Sequence, residues 1–282
     1  MAEQTDFTPA ATGRAEQFRT RSAWERIAAL RRRSNRPAPA IVRRVYEAIL
    51  ERWPGDHLVS RFPGGESARV AARYRHLSWN PEEYQAFRAA TRAGNVVLDV
   101  GANIGAYTLL FGQWVGPSGR VFAFEPGAAA RAGLLRHVVL NGLAGRVEVS
   151  ALAASGSVGV SAFDEHGASG VNALCATPTE FTSMVATTTL DQFCSERGIA
   201  PAVIKIDVEG AEFDVLEGAR QTIANPALRL FVEFHPSIWA ARGISVESVR
   251  QRLAAWGLDV VPLAPHLDPW STEGVSVELR RA

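Results

Sequence analysis

Residues 96–105 read V-V-L-D-V-G-A-N-I-G, and this stretch decides the fold class. Apolar residues from Val96 to Val100 predict a buried strand, and Gly101 and Gly105 predict a tight turn that leads into a helix. In an open α/β sheet, a turn of this kind at the carboxyl end of the first strand lets a nucleotide approach backbone N–H groups. The stretch therefore predicts an α/β fold with a ligand site at this turn.

Strand and helix patterns alternate after this stretch. The alternation predicts a mostly parallel sheet with helices on both faces, because crossover helices have to cover such a sheet. The predicted strands are Val96–Val100, Arg120–Glu125, Arg146–Ala151, Ala202–Asp207, Leu228–Phe234, Leu258–Val261 and Val275–Leu279. The predicted helices are Gly105–Val115, Gly127–Leu140, Leu190–Arg197, Ala211–Ala224 and Val246–Trp256.

A domain boundary is predicted at Asn80. An Asn N-cap, a Pro at the first helical position and two acids in the first turn begin a helix that ends at Gly94. Residues 80–282 are therefore the predicted main domain. Residues 1–79 are predicted to be an N-terminal helical segment, with helices at Ala15–Arg33 and Ala40–Trp53. We expect this Arg-rich segment to serve substrate capture or homodimer contacts, and a solvated helical face is the alternative.

The composition is that of a globular protein. The 282 residues carry a formal net charge of +1, so no basic excess points to nucleic acid. No apolar run approaches the about 18 residues of a membrane span, and the N-terminus lacks the apolar core of a secretory signal. Two cysteines, Cys175 and Cys194, fit neither a disulfide framework nor a zinc site. We therefore expect a cytoplasmic protein without a membrane span, whose partner is a small molecule.

Two acids near the turn indicate the class of ligand. Glu125 closes the second strand about 20 residues after the turn, where a carboxylate accepts hydrogen bonds from the ribose hydroxyls of an adenine nucleoside. A dinucleotide dehydrogenase needs the pattern G-x-G-x-x-G, but Asn103 and Ala106 occupy the second and third glycine positions. The negative charge of Asp99 suits a sulfonium or an ammonium better than a pyrophosphate. These residues favour S-adenosylmethionine over NAD.

Four motifs together resemble the FkbM family of S-adenosylmethionine-dependent methyltransferases: D-V-G-A-N-I-G, F-E-P, T-L-D and I-K-I-D-V-E-G-A-E. The resemblance spans about Val96 to Pro236, half of the chain. It implies a Rossmann-like class I methyltransferase fold with a seven-stranded sheet. It also implies methyl transfer, usually to oxygen, on sugars, polyketides or other natural products. The expected cofactor-binding residues are Asp99, Gly101, Asn103, Gly105, Glu125, Pro126, Asn141 and Ala153.

Charged residues at the ends of two later strands are the candidates for catalysis. Lys205 and Asp207 alternate with apolar residues on a predicted central strand, and Glu233 and His235 close the next strand. Charged groups in a buried strand need partners or a chemical role. His235 is interpreted as a general base or a metal ligand, helped by Asp207 or Glu233. For Lys205, a structural ion pair with Asp207 or Glu233 is an equal alternative to catalysis.

A metal-assisted route stays open beside the histidine route. Asp207, Glu209 and Glu233 could hold a hard divalent cation such as Mg²⁺, which would acidify the bound hydroxyl of the acceptor. Carboxylates at strand ends suit both routes. Glu212 opens the next helix, and Asp191 of T-L-D opens an earlier one; an acid in either place is interpreted as compensating the helix dipole.

Other functions share the same residues. A non-catalytic adenosine-ligand binding module would keep Asp99 and Glu125 and use the second half of the chain for partner contacts. N-methylation of a small molecule would need the same cofactor site. Amino methylation of nucleic acid is disfavoured, because the sequence has no N-P-P-Y or D-P-P-Y motif to seat a flipped base. A polar loop at Ser169, Gly170 and Asn172 is expected to close over the substrate.

Overall fold

The computed structural model describes residues 57–74, 77, 79–165, 173–174 and 182–281. The helices predicted at Ala15–Arg33 and Ala40–Trp53 and the polar loop at Ser169–Asn172 lie outside these residues. Within the part of the chain that is described, no helix is long and apolar enough to cross a membrane.

The main elements alternate as the sequence predicts. The strands are β1 (His57–Arg61), β2 (Ser67–Ala71), β3 (Val96–Val100), β4 (Arg120–Phe124), β5 (Val147–Ser150), β6 (Ala153–Ala154), β7 (Gly159–Asp164), β8 (Ala173–Leu174), β9 (Thr182–Thr188), β10 (Val203–Ile206), β11 (Arg229–Phe234), β12 (Leu258–Pro262) and β13 (Val275–Arg281). The α-helices are α1 (Pro81–Ala90), α2 (Ala106–Trp114), α3 (Ala128–Leu140), α4 (Leu190–Arg197), α5 (Glu212–Glu217), α6 (Pro236–Ala241) and α7 (Val246–Ala255).

A seven-stranded sheet forms the centre of the fold, in the order β12-β13-β11-β10-β3-β4-β5. The five neighbouring strands β5, β4, β3, β10 and β11 pair in parallel, and β13 is antiparallel to both β11 and β12. The strand order reverses between β3 and β10, and ligands of open α/β sheets bind at the carboxyl ends of the strands at such a point. The sheet confirms the predicted fold class and locates its ligand crevice.

Two apolar cores cover the two faces of the sheet. Successive strand residues point to opposite faces. Val97 of β3 packs in the core with α1, α2 and α3, and Leu98 packs in the core with α4, α5, α6 and α7. Asp99 shares the face of Val97, which places its carboxylate under α2. This layering confirms the predicted arrangement of helices on both faces.

Two smaller units differ from the sequence expectation. A hairpin of β1 and β2 lies within residues 1–79, the range assigned to a helical segment. A second sheet has the order β6-β9-β7-β8. Strands β6 and β8 have only two residues each, and apolar residues of β7 and β9 such as Val160 and Met184 are exposed, so hydrophobic alternation does not reveal them.

Several helix boundaries also differ. Helix α1 ends at Ala90 rather than at Gly94. The single helix predicted at Ala211–Ala224 is divided into α5 and a short 3₁₀ turn at Thr222–Ala224. The division falls at Gly218, where a Cβ atom would lie 2.1 Å from the carbonyl oxygen of Ser155. Close packing of Gly218 against the segment around Ser155 therefore accompanies the end of α5.

Candidate functional site

The turn between β3 and α2 can form only with glycine at two positions. Gly101 and Gly105 have φ angles of 77° and 94°, in the left-handed region that glycine adopts without strain. A Cβ atom on Gly101 would lie 1.7 Å from the carbonyl oxygen of Asp207, and one on Gly105 would lie 2.5 Å from Leu134. The turn therefore lies directly against the end of β10, as a ligand cradle at the switch point requires.

Glu125 closes the turn from the side of β4. Its two carboxylate oxygens accept hydrogen bonds from the backbone N–H groups of Asn103, at 2.7 Å, and Gly127, at 2.8 Å. Burial raises the pKa of Glu125 to about 7, although both N–H groups act to lower it. Each oxygen keeps a further lone pair that a ligand hydroxyl can use. The ribose-binding role of Glu125 expected from the sequence stays a prediction.

A crevice opens at the carboxyl ends of β3, β4 and β10. Its polar wall includes Gly101, Asn103 and Glu125, followed by Pro126, and its apolar wall includes Phe124, Ala153, Phe163 and Leu174. Asp207 and Glu209 also line the crevice. Five of the expected cofactor residues, Gly101, Asn103, Glu125, Pro126 and Ala153, thus line one crevice.

Three other expected cofactor residues do not line the crevice. Asp99 is fully buried beneath it and Gly105 packs on α3. Asn141 lies at the end of α3, where its side chain bonds the backbone N–H and carbonyl groups of Arg69 in the hairpin. Asn141 therefore attaches the hairpin and does not border the crevice.

Lys205 ties the two central strands together. Its ammonium donates to the carbonyl oxygen of Gly101 and to Asp207, each at 3.1 Å, and lies 3.6 Å from Asp99. Burial would lower the pKa of Lys205, but the charges of Asp207 and Asp99 outweigh it and hold the pKa above its usual range. The lysine stays protonated, so it orders Asp207 and the turn and cannot accept a proton.

Asp99 supports the turn from below. It lies opposite Lys205 in the pairing of β3 with β10. Its Oδ2 atom accepts a hydrogen bond from the Thr108 hydroxyl at 2.5 Å. Among the described residues, none donates a hydrogen bond to its buried Oδ1 atom. Oδ1 instead lies 3.6 Å from the ammonium of Lys205, which offsets the charge of this buried carboxylate.

His235 is held by a buried carboxylate that the sequence analysis had interpreted only as a first-turn acid. Glu212 is fully buried, and its oxygens accept hydrogen bonds from His235 Nδ1 at 2.9 Å, Gly210 N at 2.8 Å and Trp239 Nε1 at 2.6 Å. His235 Nε2 lies 3.3 Å from Glu209 and 3.8 Å from Glu233. Glu212 therefore fixes the ring so that Nε2 faces the carboxylates.

The pKa of His235 reflects this surrounding charge. Burial would lower the pKa, but the hydrogen bond to Glu212 and the charges of Glu212, Glu209 and Asp207 raise it to about 9. Burial and the neighbouring charges of Asp207 and Glu83 raise the pKa of Glu233 to about 8. Both groups therefore tend to hold a proton at neutral pH.

The cluster can also be considered as a set of metal ligands. Ligand atoms of Asp207, Glu233 and His235 lie within 4.8 Å of one another. The set expected from the sequence contained Glu209 in place of His235. Glu209 itself has a left-handed backbone, with φ of 53°, which is uncommon for a residue other than glycine. Its carboxylate faces His235 from the turn after β10.

Further polar residues, buried or half-buried, extend the site beyond the sequence predictions. The hydroxyl of Tyr107, in the first turn of α2, donates to Glu83 of α1, and Ser276 of β13 donates to the same carboxylate. No local pattern signals these contacts, because they join segments far apart in the chain.

Asp191 has a structural role, since it accepts hydrogen bonds from the N–H groups of Gln221 and Thr222.

Comparison with known sequences identifies one domain. The profile of the Methyltransferase FkbM domain matches residues 99–260. Comparison with curated proteins gives no match.

Solved structures with a similar fold include three methyltransferases or related proteins. The methyltransferase FkbM of Methylobacillus flagellatus is 20% identical, with 73% of this chain and 50% of that chain covered and a TM-score of 0.48. The SAM-dependent O-methyltransferase of Thermotoga maritima is 13% identical, with coverage of 84% and 81% and a TM-score of 0.44. Aeropyrum pernix fibrillarin, with natively bound S-adenosylmethionine, is 15% identical, with coverage of 79% and 82% and a TM-score of 0.46. The present chain thus spans half the length of the first of these proteins.

Proposed function

Because this chain belongs to the FkbM family of S-adenosylmethionine-dependent methyltransferases, we propose that it methylates a hydroxyl group of a small molecule such as a sugar or a polyketide. One observation carries the proposal. The crevice that contains the glycine turn and Glu125 also contains Asp207, whose ligand atom lies within 4.8 Å of those of Glu233 and His235. A nucleoside subsite and titratable groups thus meet at one edge of the sheet.

The residues of the crevice fit S-adenosylmethionine. Glu125 lines the crevice and is the proposed acceptor for the ribose hydroxyls, and Ala153, Phe163 and Leu174 offer an apolar wall for the adenine. Asp207 and Asp99 together share a single ammonium, that of Lys205, and this excess of carboxylates favours the cationic end of the molecule. When bound, S-adenosylmethionine supplies an electrophilic methyl group. Because Gly101 has no side chain, the backbone of the turn can approach the bound molecule closely and orient its methyl group.

His235 is the proposed proton acceptor. A neutral hydroxyl has to lose its proton when it takes a methyl group, and a positioned imidazole is the commonest general base. Glu212 orients His235 and stabilises its protonated form. A cationic ligand nearby disfavours the imidazolium. We therefore expect bound S-adenosylmethionine to lower the pKa of His235 from about 9 toward neutral pH.

A divalent cation is the second candidate for activating the hydroxyl. The spacing of Asp207, Glu233 and His235 favours it, since carboxylate and imidazole ligands suit several divalent ions. Glu209 completes the set expected from the sequence. In this version the cation acidifies the hydroxyl of the acceptor, and Mg²⁺ or Mn²⁺ is the ion to test.

The cofactor is tested by thermal unfolding. S-adenosylmethionine and S-adenosylhomocysteine should raise the Tm, and NAD should not, because a ligand that binds only the folded state stabilises it. At about 100 times the Kd, the stabilisation is about 2.7 kcal/mol. Glu125→Ala should weaken the shift. A shift with NAD and none with S-adenosylmethionine would overturn the cofactor assignment.

Proton removal is tested with His235→Ala and a panel of acceptors with hydroxyl or amino groups. Loss of a general base should lower turnover by about 10² to 10⁴-fold while affinity for S-adenosylhomocysteine is retained. His266→Ala, at an exposed histidine, is the control. If a cation is used instead, a chelator should abolish activity and Mg²⁺ or Mn²⁺ should restore it.

Three results contradict parts of this proposal. Full activity of His235→Ala in excess chelator rules out both routes and leaves positioning of the substrates as the source of catalysis. Methylation of amino acceptors alone would replace O-methylation by N-methylation. Tight cofactor binding without transfer to any acceptor class would favour a non-catalytic binding module.

A further inference from the structure

A single histidine connects the turn between β3 and α2, residues 101–105, to the hairpin of β1 and β2. We call this turn the cofactor turn; the hairpin precedes residues 99–260, which match the family profile. His137 of α3 is fully buried. Its Nε2 atom accepts a hydrogen bond from the backbone N–H of Ala71 at 3.0 Å, and its Nδ1 atom lies 2.7 Å from the carbonyl oxygen of Ile104. An amide N–H can only donate and a carbonyl can only accept, so the proton lies on Nδ1. The neutral imidazole satisfies both partners at once.

The packing around this ring keeps it in place. The ring of Tyr74 meets it edge-on, with centroids 5.3 Å apart. A Cβ atom on Gly133 would lie 2.8 Å from Tyr74, so the glycine makes room for this tyrosine on α3. Burial lowers the pKa of His137, which favours the neutral form. The ring therefore has one orientation and one proton arrangement that suit its surroundings.

A neighbouring side chain provides a comparison. Asn141, one helical turn after His137, accepts from the N–H of Arg69 at 2.7 Å and donates to its carbonyl at 2.8 Å. Both residues thus bond backbone groups of β2, the strand that pairs with β1 in the hairpin. His137 alone of the two also bonds the cofactor turn. The two contributions, attachment of the hairpin and support of the turn, can therefore be separated by mutation.

The carbonyl that His137 binds is part of the cofactor turn. Ile104 lies between Asn103, whose N–H donates to Glu125, and Gly105, which begins α2. Movement of the Ile104 peptide would change the direction of the adjoining N–H groups, because each peptide unit is planar. The hydrogen bond from His137 therefore acts on the same short segment that presents Asn103 to the crevice.

We propose that His137 is a positioning residue for S-adenosylmethionine binding, and that through it the hairpin 57–71 holds the turn 101–105 in its binding conformation. The proposal rests on the proposed cofactor and extends the site to residues before the matched domain. Binding of the cofactor and docking of the hairpin should then favour each other, because both stabilise one conformation of the turn.

Two substitutions separate the two bonds. The amide nitrogen of asparagine can take the place of Nδ1, so His137→Asn keeps a donor for Ile104 and loses the acceptor for Ala71. The amide oxygen of glutamine can take the place of Nε2, so His137→Gln keeps the acceptor and loses the donor. Asn141→Ala is the matched control, because it removes the bonds to Arg69 and leaves both bonds of His137 in place, so that the hairpin stays docked on the turn through His137.

Binding of S-adenosylhomocysteine is measured by calorimetry, and hydrogen exchange is followed at residues 68–71. We expect His137→Gln to raise the Kd by about 3- to 10-fold, the effect of losing one hydrogen bond. His137→Asn should change the Kd less but increase exchange at Ala71. Asn141→Ala should keep the Kd within about twofold of the wild type. In the wild type, ligand should slow exchange at residues 68–71.

Three outcomes would overturn the proposal. The first is a lowered Tm in both His137 variants with an unchanged Kd, which would make the histidine purely structural. If both variants fail to fold, the wild-type exchange decides, and no effect of ligand at residues 68–71 refutes the coupling. A wild-type protein that binds no S-adenosylhomocysteine, tested first, would refute the proposed cofactor and this inference with it.

Discussion

Glu125 illustrates how burial of one carboxylate makes a binding site sensitive to pH. Both of its oxygens bond backbone N–H groups, which favours the ionised form, yet burial has the larger effect and raises its pKa to about 7. In the ligand-free protein the carboxyl group is thus partly protonated at neutral pH. A ribose hydroxyl donates to the ionised group, so binding requires loss of that proton.

The affinity for S-adenosylhomocysteine should therefore increase from about pH 6 to about pH 8. Below the raised pKa the proton has to be removed before the hydroxyls can donate, and above it this cost disappears. Calorimetry in buffers of matched ionic strength measures the change. Glu125→Gln should bind weakly with little pH dependence, and Glu148→Gln, at an exposed position on β5, should resemble the wild type. A wild-type affinity that is flat over this range contradicts the role of Glu125.

At the scale of residues, polar side chains at strand ends could be predicted from the sequence, but their hydrogen-bond partners could not. Glu125, Asp207 and His235 follow apolar runs directly, so their places at the sheet edge could be predicted. Glu212 could not be recognised as the partner of His235, because 23 residues separate them and the contact depends on where α5 lies. His137 is 66 residues from Ala71, and no local pattern predicts that pairing.

Among the elements, the contact of the glycine turn with β10 has the strictest geometry. A methyl group at Gly101 would overlap the carbonyl oxygen of Asp207, and its φ of 77° also disfavours other residues. Gly142, after α3, has a φ of 64°, but a Cβ atom there would meet nothing within 4 Å. Both glycines have a left-handed backbone, so they differ mainly in whether an added Cβ atom would overlap a neighbouring atom.

We expect Gly142→Ala to cost about 1 kcal/mol of stability, the usual effect of a left-handed backbone on alanine. Gly101→Ala should cost at least about 3 kcal/mol, because the backbone of the turn or of β10 has to move. The variant should also bind S-adenosylhomocysteine poorly. Urea unfolding of both proteins gives the comparison. Equal losses would show that the close approach relaxes easily and that φ alone matters.

Buried apolar strands were predictable as elements, and strands that are half-exposed or only two residues long were not. β3, β4, β10 and β11 are flanked by turns or helices and lie within a residue or two of their predicted bounds. The sheet of β6–β9 contains strands of two residues and exposed apolar side chains, so tertiary pairing rather than local pattern defines it. Helix α6 begins at Pro236, directly after His235, and is too short for a periodic pattern.

In the described part of the molecule, the packed domain begins before the boundary predicted at Asn80, because the hairpin of β1 and β2 belongs to its core. Phe62, Val70 and Tyr74 belong to the core that also contains Val97 and Leu134. Residues 57–74 therefore pack with the domain that binds the cofactor. The sequence boundary at Asn80 is a helix start, and a helix start does not have to coincide with the limit of a core.

Two truncations test this boundary. Deletion of residues 1–53 should leave the Kd for S-adenosylhomocysteine nearly unchanged, because the nucleotide motifs all lie beyond Val96. Deletion of residues 1–79 should lower both the Tm and the affinity, because it uncovers part of the core and removes the Ala71 bond to His137. Calorimetry and thermal unfolding distinguish the two. Lost binding in a folded 54–282 protein would instead assign a cofactor role to the first segment.

The bond from Lys205 to Gly101 joins residues 104 positions apart. A ribosome that adds about 5–20 residues per second makes the glycine turn about 5–20 s before it makes the strand that closes it. During that interval the nascent chain contains Glu125 and the turn but not Asp207 or Lys205. S-adenosylmethionine therefore cannot guide the first stages of folding during synthesis. It can only select chains in which the second half of the sheet has already been translated and paired.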